Sequence, residues 1–562
     1  MTSTASAPPH TSTTVPDRVA ARAAEHPDRV AYRFLDEQGV ETRTLTYAEL
    51  HRRALGVAGV LRDRHTRGDR ALLSFPQCPE FLIAFLGCLY AGIVAVPVKP
   101  PRRRDAGETT ASVIADSDAG VVLGLRAGLD AVDGLPGLAV DEIGEGTGRP
   151  EPGELAFLQY TSGSTAAPKG VMVTHANLAA NEDMIAAAFG HDERSTVVGW
   201  APFFHDQGLI GNALQPLWVG ATAVLMSPMT FVRRPLLWLE AISRYRAHTS
   251  GGPNFAFDAC VAAAARGPVP ELDLSSWRVA FDGAEPVRPE TLRSFAATFG
   301  PHGFAAEALH PCYGLAEATL IVTGTGAMRG SRLLTVDADA LQDGRLRTGG
   351  GRVRELAGSG VELPGESVRI VDPDTAVAVP DGSVGEIWVR GPAVAAGYWR
   401  NPSATAETFR ARIRGEPDAY LRTGDLGALH DGELVVVGRR KDVVIVRGRN
   451  HHPHDIEATV AAAHPALQPG AGAAFAVAGP AGERPVVVQE VRREHRRVGD
   501  PRDVRAAVRA AVAREHGLTL AELVLTLPGR VPRTSSGKVR RAAVRALHTD
   551  PGFEPWNPRT EE

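Results

Sequence analysis

Residues 160–170, YTSGSTAAPKG, hold almost nothing that could pack a core apart from Tyr160. A run of small residues leaving a strand can turn successive N–H groups toward one point and so form a nest for an anion. Thr161, Ser162, Ser164 and Thr165 add hydroxyl donors around Gly163, and Lys169 adds a full positive charge. Polyphosphate is the ligand that such a set suits. A plain surface loop has the same composition, and on these residues alone both readings stand. A Walker loop is excluded, because it needs Gly-Lys-Ser/Thr opening a helix. Here Pro168 precedes the lysine and Gly170 leads into the strand-like VMV.

Such a loop needs a framework. From about residue 70 to 330, short β-branched runs alternate with apolar helical windows. ALLSF precedes a helix around 79–91, LAFLQY leads into the loop, and VMV precedes a helix around 177–189. WRVAFDGAE precedes a helix around 289–299. Alternation of this kind predicts mostly parallel sheets covered by helices on both faces, with ligands beyond the carboxyl ends of the strands. After residue 330 the texture changes. Residues 331–360 are rich in glycine and arginine with little periodicity, and strands with turn chemistry follow in ESVRIVDPDT, DGSVGEIWVRG and GELVVVGRRKDVV. This predicts a β-rich subdomain over about 361–440. The strands AAFAVAG and RPVVVQEV, with helices about 501–516 and 538–547, predict a small α+β C-terminal domain over 441–562.

The 562 residues exceed what one hydrophobic core organises, which agrees with such a division. A net charge of −4 supplies no field to recruit nucleic acid or an anionic membrane. Cys78, Cys88, Cys260 and Cys312 have neither CxxC spacing nor the density of a disulfide scaffold, so a reducing cytoplasm is expected. Residues 1–15 have no apolar core of a signal peptide and are expected to form a disordered leader. Residues 81–98 are uncharged over 18 positions, the threshold for a membrane span. Gly92 interrupts them and IVAVPV reads as a strand, so a buried helix and a buried strand are expected instead.

YTSGSTAAPKGV resembles the phosphate loop of the adenylate-forming superfamily of acyl-CoA synthetases, luciferases and peptide-synthetase adenylation domains. It is joined in order by PFFHDQGLIG, SGGPNFAFD, DGAEPV, HPCYGLAEATL, GEIWVRGPAVAAGYW, LRTGDLG, GRRKDVVIVRGRNHHPHDIE and PRTSSGKVRR. The wording of HDQGLIG, SGGPNFAFD, GAEPVRPETL and PCYGLAEATL is similar to fatty acyl-AMP ligases, which carry an extra segment where residues 331–360 lie. Ala166 departs from the glycine that often stands at that place.

The resemblance implies a 16–440 adenylation domain and a mobile 441–562 lid, and it implies roles. Thr161, Ser162, Gly163, Ser164, Thr165 and Lys169 would hold the β- and γ-phosphates of ATP, and Glu317 would bind Mg²⁺. Gly283, Ala284, Glu285, Tyr313 and Gly314 would frame the adenine. Asp425 would bind the ribose hydroxyls with Arg439 beside it. Lys538 would neutralise the reacting oxygens, and Lys441 would be the hinge. His205 would lie by the substrate carboxylate, although a packed structural histidine suits its position equally. Phe203, Phe204, Gly252 and Phe255 would wall the acyl pocket, with ordinary core the alternative.

The implied activity is ATP-dependent formation of acyl-AMP from a fatty or related carboxylic acid, with pyrophosphate released. Transfer to the phosphopantetheine thiol of a separate acyl carrier protein would follow. An acyl-CoA ligase is the alternative, and an inactive nucleotide-binding homologue the third reading. Neither a nucleic-acid partner nor a membrane span is expected.

Overall fold

The computed structural model describes residues 13–100, 108–161, 168–446, 449–479, 482–534, 537–549 and 552–558. Among them, two sheets form the large domain. The first runs in the order Leu309–Pro311, Val279–Asp282, Thr249–Gly252, Thr196–Gly199, Thr222–Met226, Val30–Leu35, Glu41–Thr46. It is parallel except for the last pair, which is antiparallel. The second runs Gly137–Ala139, Val121–Gly124, Arg70–Ser74, Val94–Val98, Leu155–Thr161, Lys169–Thr174. It too is parallel up to a closing antiparallel pair.

The uncharged stretch divides as its glycine requires. Pro79–Ala91 is a helix buried along its whole length, Gly92 ends it at φ 72°, and Val94–Val98 is a fully buried strand. Only a residue without Cβ takes that left-handed end cheaply. Among the described residues no helix is long and apolar enough to cross a membrane. At the other end of the chain, the helix Val15–Glu25 starts inside the expected leader. Thr14 and Asp17 form a reciprocal capping box, and Val15 and Val19 are buried in the main core. Residues 13–15 of the expected leader thus belong to the folded part, and residues 1–12 lie outside the described residues.

In the β-rich part, Ser367–Asp372, Gly385–Arg390, Ala419–His430 and Glu433–Arg439 pair antiparallel in that order. Residues 331–360, expected only as an insertion, form a hairpin of Leu333–Asp337 and Val353–Ala357 with a short helix Ala338–Gln342 between. Leu334, Val336, Leu341, Leu346 and Leu356 share one core with Ala428, Val435 and Val437. The β-rich unit thus reaches back to the hairpin, further than residue 361.

The C-terminal part is a sheet of Leu467–Gly479, Gly482–Val491 and Glu522–Thr526 with helices Pro453–Ala462, Pro501–His516 and Arg541–Thr549. The last helix begins three residues later than expected, so Lys538 lies in the turn before it. The hairpin grips this domain. Arg354 makes a bidentate ion pair with Asp455, and Arg352 donates to the Glu515 carbonyl. Arg449 donates to Gln342 Oε1 at 3.4 Å. Around Asp455 lie His452, His454 and His516.

Candidate active site

The loops that leave the carboxyl ends of the first sheet converge, as parallel sheets dictate. Past Thr196–Gly199 come Trp200 to Gln207, past Thr249–Gly252 comes Pro253, past Val279–Asp282 comes Gly283-Ala284-Glu285, and past Leu309–Pro311 comes Tyr313. The second sheet contributes the turn between its antiparallel strands, where Thr161 faces Lys169 in register. Ser162, Gly163, Ser164 and Thr165 lie outside the described residues.

The segments that follow Val279–Asp282 and Leu309–Pro311 are shaped by close packing. Ala284 takes φ +65°, a conformation that a residue with a Cβ holds only when its surroundings enforce it. Glu285 Oε1 accepts the Phe255 N–H at 2.7 Å, and burial raises its carboxyl above the usual range. A Cβ on Gly314 would lie 1.8 Å from the Leu320 carbonyl oxygen, so no other residue fits there.

Tyr313 is buried, and its O–H donates to Asp425 Oδ2 at 2.9 Å. Arg439 Nε donates to Asp425 Oδ1 at 2.9 Å. Asp425 and Arg439 oppose each other across the pair Ala419–His430 and Glu433–Arg439, so strand register alone brings them together. Lys441 follows on the exposed turn Arg440–Asp442, between the β-rich part and the C-terminal domain.

His205 and Asp206 open a widened helix, Gln207–Leu214, whose hydrogen bonds span five residues near its end. Asp206 Oδ1 accepts the Gln207 N–H at 2.7 Å. Burial, then the charges of Lys538 and Lys99, lower His205 to about 4, so its imidazole is neutral near pH 7. It can orient an anion by hydrogen bonding but brings no charge.

Lys538 enters from the other domain. It sits on a tight turn: Arg533 and Val539 form a bridge, Thr534 N–H donates to the Lys538 carbonyl at 2.7 Å, and Lys538 N–H donates to Thr534 Oγ1 at 3.1 Å. Burial lowers its ammonium below the usual lysine value. Asp206, Glu285 and Asp425 oppose that shift, while the Arg439 guanidinium adds to it. One cation of the small domain therefore stands among three carboxylates and an arginine of the large one.

At the loop end, Glu317 Oε1 accepts the Tyr398 O–H at 2.8 Å, and Lys169 Nζ stands 4.8 Å from the centre of the Tyr398 ring. Among the described residues no three His, Cys, Asp or Glu side chains gather as a metal cage. A lone hard carboxylate fits a cation that phosphates and water also ligate.

The aromatic residues separate. Phe203 is buried in the main core, with its ring centre 5.2 Å from that of Phe81. Phe204 is half-buried beside His205, with ring centres 4.9 Å apart. Phe255 packs edge-on to Trp200 at 6.0 Å, Trp200 stacks on Phe231 at 4.0 Å, and a Cβ on Gly252 would meet Trp200 at 2.6 Å. Sequence reasoning gave no role to Trp200, Asp206 or Tyr398, although all three lie in or beside motifs it singled out. The aspartate next to His205 in HDQG was the available signal for Asp206.

The AMP-binding enzyme family profile matches residues 19–399, and a profile described as Disco-interacting protein 2-like, AMP domain, matches residues 441–553. The medium-chain-fatty-acid–acyl-carrier-protein ligase JamA of Moorena producens is 40% identical over 95% of this chain and 94% of its own. The 4-hydroxyphenylalkanoate adenylyltransferase of Mycobacterium bovis is 37% identical over 94% of this chain and 90% of its own. The crystal structure of a fatty acyl-adenylate ligase from L. pneumophila, in complex with acyl adenylate and pyrophosphate, superposes with a TM-score of 0.76. It is 37% identical and covers 97% of both chains.

Proposed function

This chain belongs to the AMP-binding enzyme family and to its fatty acyl-AMP ligase branch, and from that premise we propose that it adenylates a fatty or related carboxylic acid with ATP and passes the acyl group to the phosphopantetheine thiol of a separate acyl carrier protein. The observation that carries the proposal is Lys538 of the C-terminal domain, whose buried ammonium feels the charges of Asp206, Glu285, Asp425 and Arg439 of the large domain. In the first step a carboxylate oxygen bonds to the α-phosphorus while the bond from that phosphorus to the bridging oxygen breaks, releasing pyrophosphate. Both reactants are anions, so the protein's part is positioning and positive potential. Lys538 neutralises charge on the meeting oxygens. Neutral His205 orients the acid, and Phe204, Gly252 and Phe255 flank its apolar portion. In the second step the thiol sulfur attacks the acyl carbonyl and AMP leaves.

Asp425 accepts the ribose hydroxyls with Arg439 as its counter-charge, and Gly283, Ala284, Glu285, Tyr313 and Gly314 hold the base. Thr161, Ser162, Gly163, Ser164, Thr165 and Lys169 take the outer phosphates, and Lys441 is the pivot. Glu317 fits Mg²⁺, which when bound supplies positive charge to the phosphate oxygens. The four cysteines are unpaired, which suits the cytoplasm.

Two expected results follow. Exchange of labelled pyrophosphate into ATP should appear with a subset of acids in a chain-length panel, and acylated holo-carrier protein should form. Efficient CoA thioester formation would instead make the protein an acyl-CoA ligase, and no exchange with any acid would leave an inactive homologue. Asp425→Asn should weaken ATP binding tenfold to a hundredfold, since hydrogen bonds to a charged group are worth about 1.5–3 kcal/mol. Calorimetry checks this, and an unchanged affinity would remove Asp425 from the ribose site.

A further inference from the structure

Tyr398 has no part in the chemistry above, yet it touches both charged groups at the phosphate end. It is buried, and the surrounding backbone fixes it from several directions. Val171 and Tyr398 form an antiparallel bridge, and Trp399 N–H donates to the Gly170 carbonyl at 2.8 Å. Ala395 N–H donates to the Glu317 carbonyl at 2.9 Å. Tyr398 N–H donates to Thr405 Oγ1 at 2.9 Å, and Phe409 stands edge-on to the ring at 5.0 Å. A ring held this way does not swing aside when a ligand enters.

Resting on the nucleotide-binding reading above, we propose that Tyr398 is a positioning residue for the pyrophosphate end of the site: its hydroxyl aims the Glu317 carboxylate, and its ring face parks the Lys169 ammonium. The arrangement solves a specific problem. A lysine and a carboxylate set close together in a half-buried site attract each other, and a direct pair would withdraw both from the phosphates and the cation. The ring offers the ammonium a weaker, electrostatically matched seat that phosphate oxygens can outcompete. The hydroxyl meanwhile occupies one oxygen of Glu317 and leaves acceptor sites on the carboxylate for a metal.

The test is calorimetric ATP binding across a Mg²⁺ titration for the wild type, Tyr398→Phe, Tyr398→Leu, Glu317→Gln and the double variant Tyr398→Phe/Glu317→Gln, with unfolding midpoints as the control for folding. Tyr398→Phe should raise the Mg²⁺ concentration for half-maximal binding about tenfold, the loss of one hydrogen bond to a charged group. Its affinity at saturating Mg²⁺ should stay near that of the wild type. Tyr398→Leu, which also loses the ring, should in addition weaken ATP binding without Mg²⁺. In the Glu317→Gln background Tyr398→Phe should add nothing. A Mg²⁺ dependence unchanged in Tyr398→Phe, or an equal shift in the Glu317→Gln background, overturns the proposal. Should Tyr398→Leu not fold, the phenylalanine variants decide alone. A wild type that binds no ATP at any Mg²⁺ concentration would sink the nucleotide reading instead, a distinguishable failure.

Discussion

Lys538→Ala should cut acyl-adenylate formation on the order of a thousandfold, comparable to removing one preorganised donor from a developing anion, while leaving the unfolding midpoint and ATP affinity nearly unchanged. The reason is differential. In the role proposed for it, Lys538 meets additional negative charge when two anions approach, so its contribution to the reaction would concentrate in the transition state. The resting protein holds it among Asp206, Glu285 and Asp425, with burial lowering its ammonium. Its removal relieves that burial, so the fold has little to lose. Pyrophosphate exchange and calorimetry on one preparation separate the two effects, and retained exchange would remove Lys538 from the mechanism. The pH dependence has a fixed sign. The charged lysine is the active form, and its value lies below the usual 10.5, so adenylation should fall as pH rises through that lowered value.

The second large effect belongs to the grip of the hairpin on the C-terminal domain. Arg354→Ala should destabilise that docking by roughly 3 kcal/mol, since breaking a buried pair leaves its partner uncompensated. Burial raises the Asp455 carboxyl, but the Arg354 guanidinium outweighs it and holds the group below its ordinary range. Burial above all lowers His451, His452 and His454 to about 4 each. Those histidines are neutral when docked and take up protons when released. Their contribution is therefore fully present above about pH 6.5, the unperturbed value, and is lost as pH falls toward about 4. The Asp455 contribution is lost further into acid. Limited proteolysis near residues 440–452, run from pH 7 to pH 4, should show a cleavable linker emerging in that window. In Arg354→Ala it should appear already at pH 7. Equal protection of both proteins across the window would deny the hairpin its restraining role.

How much of this the sequence disclosed depended on the range of the interactions. Helices and strands whose apolar residues repeat locally were legible: the run 81–98 resolved into helix and strand because Gly92 acts on its immediate neighbours. Motif residues that strand register brings together, such as Asp425 and Arg439, could be proposed as companions from the family resemblance. Contacts between distant segments left no periodic trace. Tyr398 meets Glu317 across 81 positions, and Arg354 meets Asp455 across 101. Phe203 looked like its neighbour Phe204, but the turn they share sends one ring into the core and leaves the other half-buried. The hairpin in 331–360 was hidden because its core is borrowed from Ala428, Val435 and Val437, almost a hundred residues on.

The turn that carries Lys538 closes on itself, through Thr534 and the Arg533–Val539 bridge, before the last helix begins. The backbone that carries Lys538 is thus tied to its own domain. Its arrival and departure are those of the whole domain, so the ammonium works as a toggle. In the role proposed for Lys538, the first reaction would run only while it is seated, and a C-terminal domain that moved to admit a thiol would take it along, which would make reversal of the adenylation slow while the acyl group is handed over.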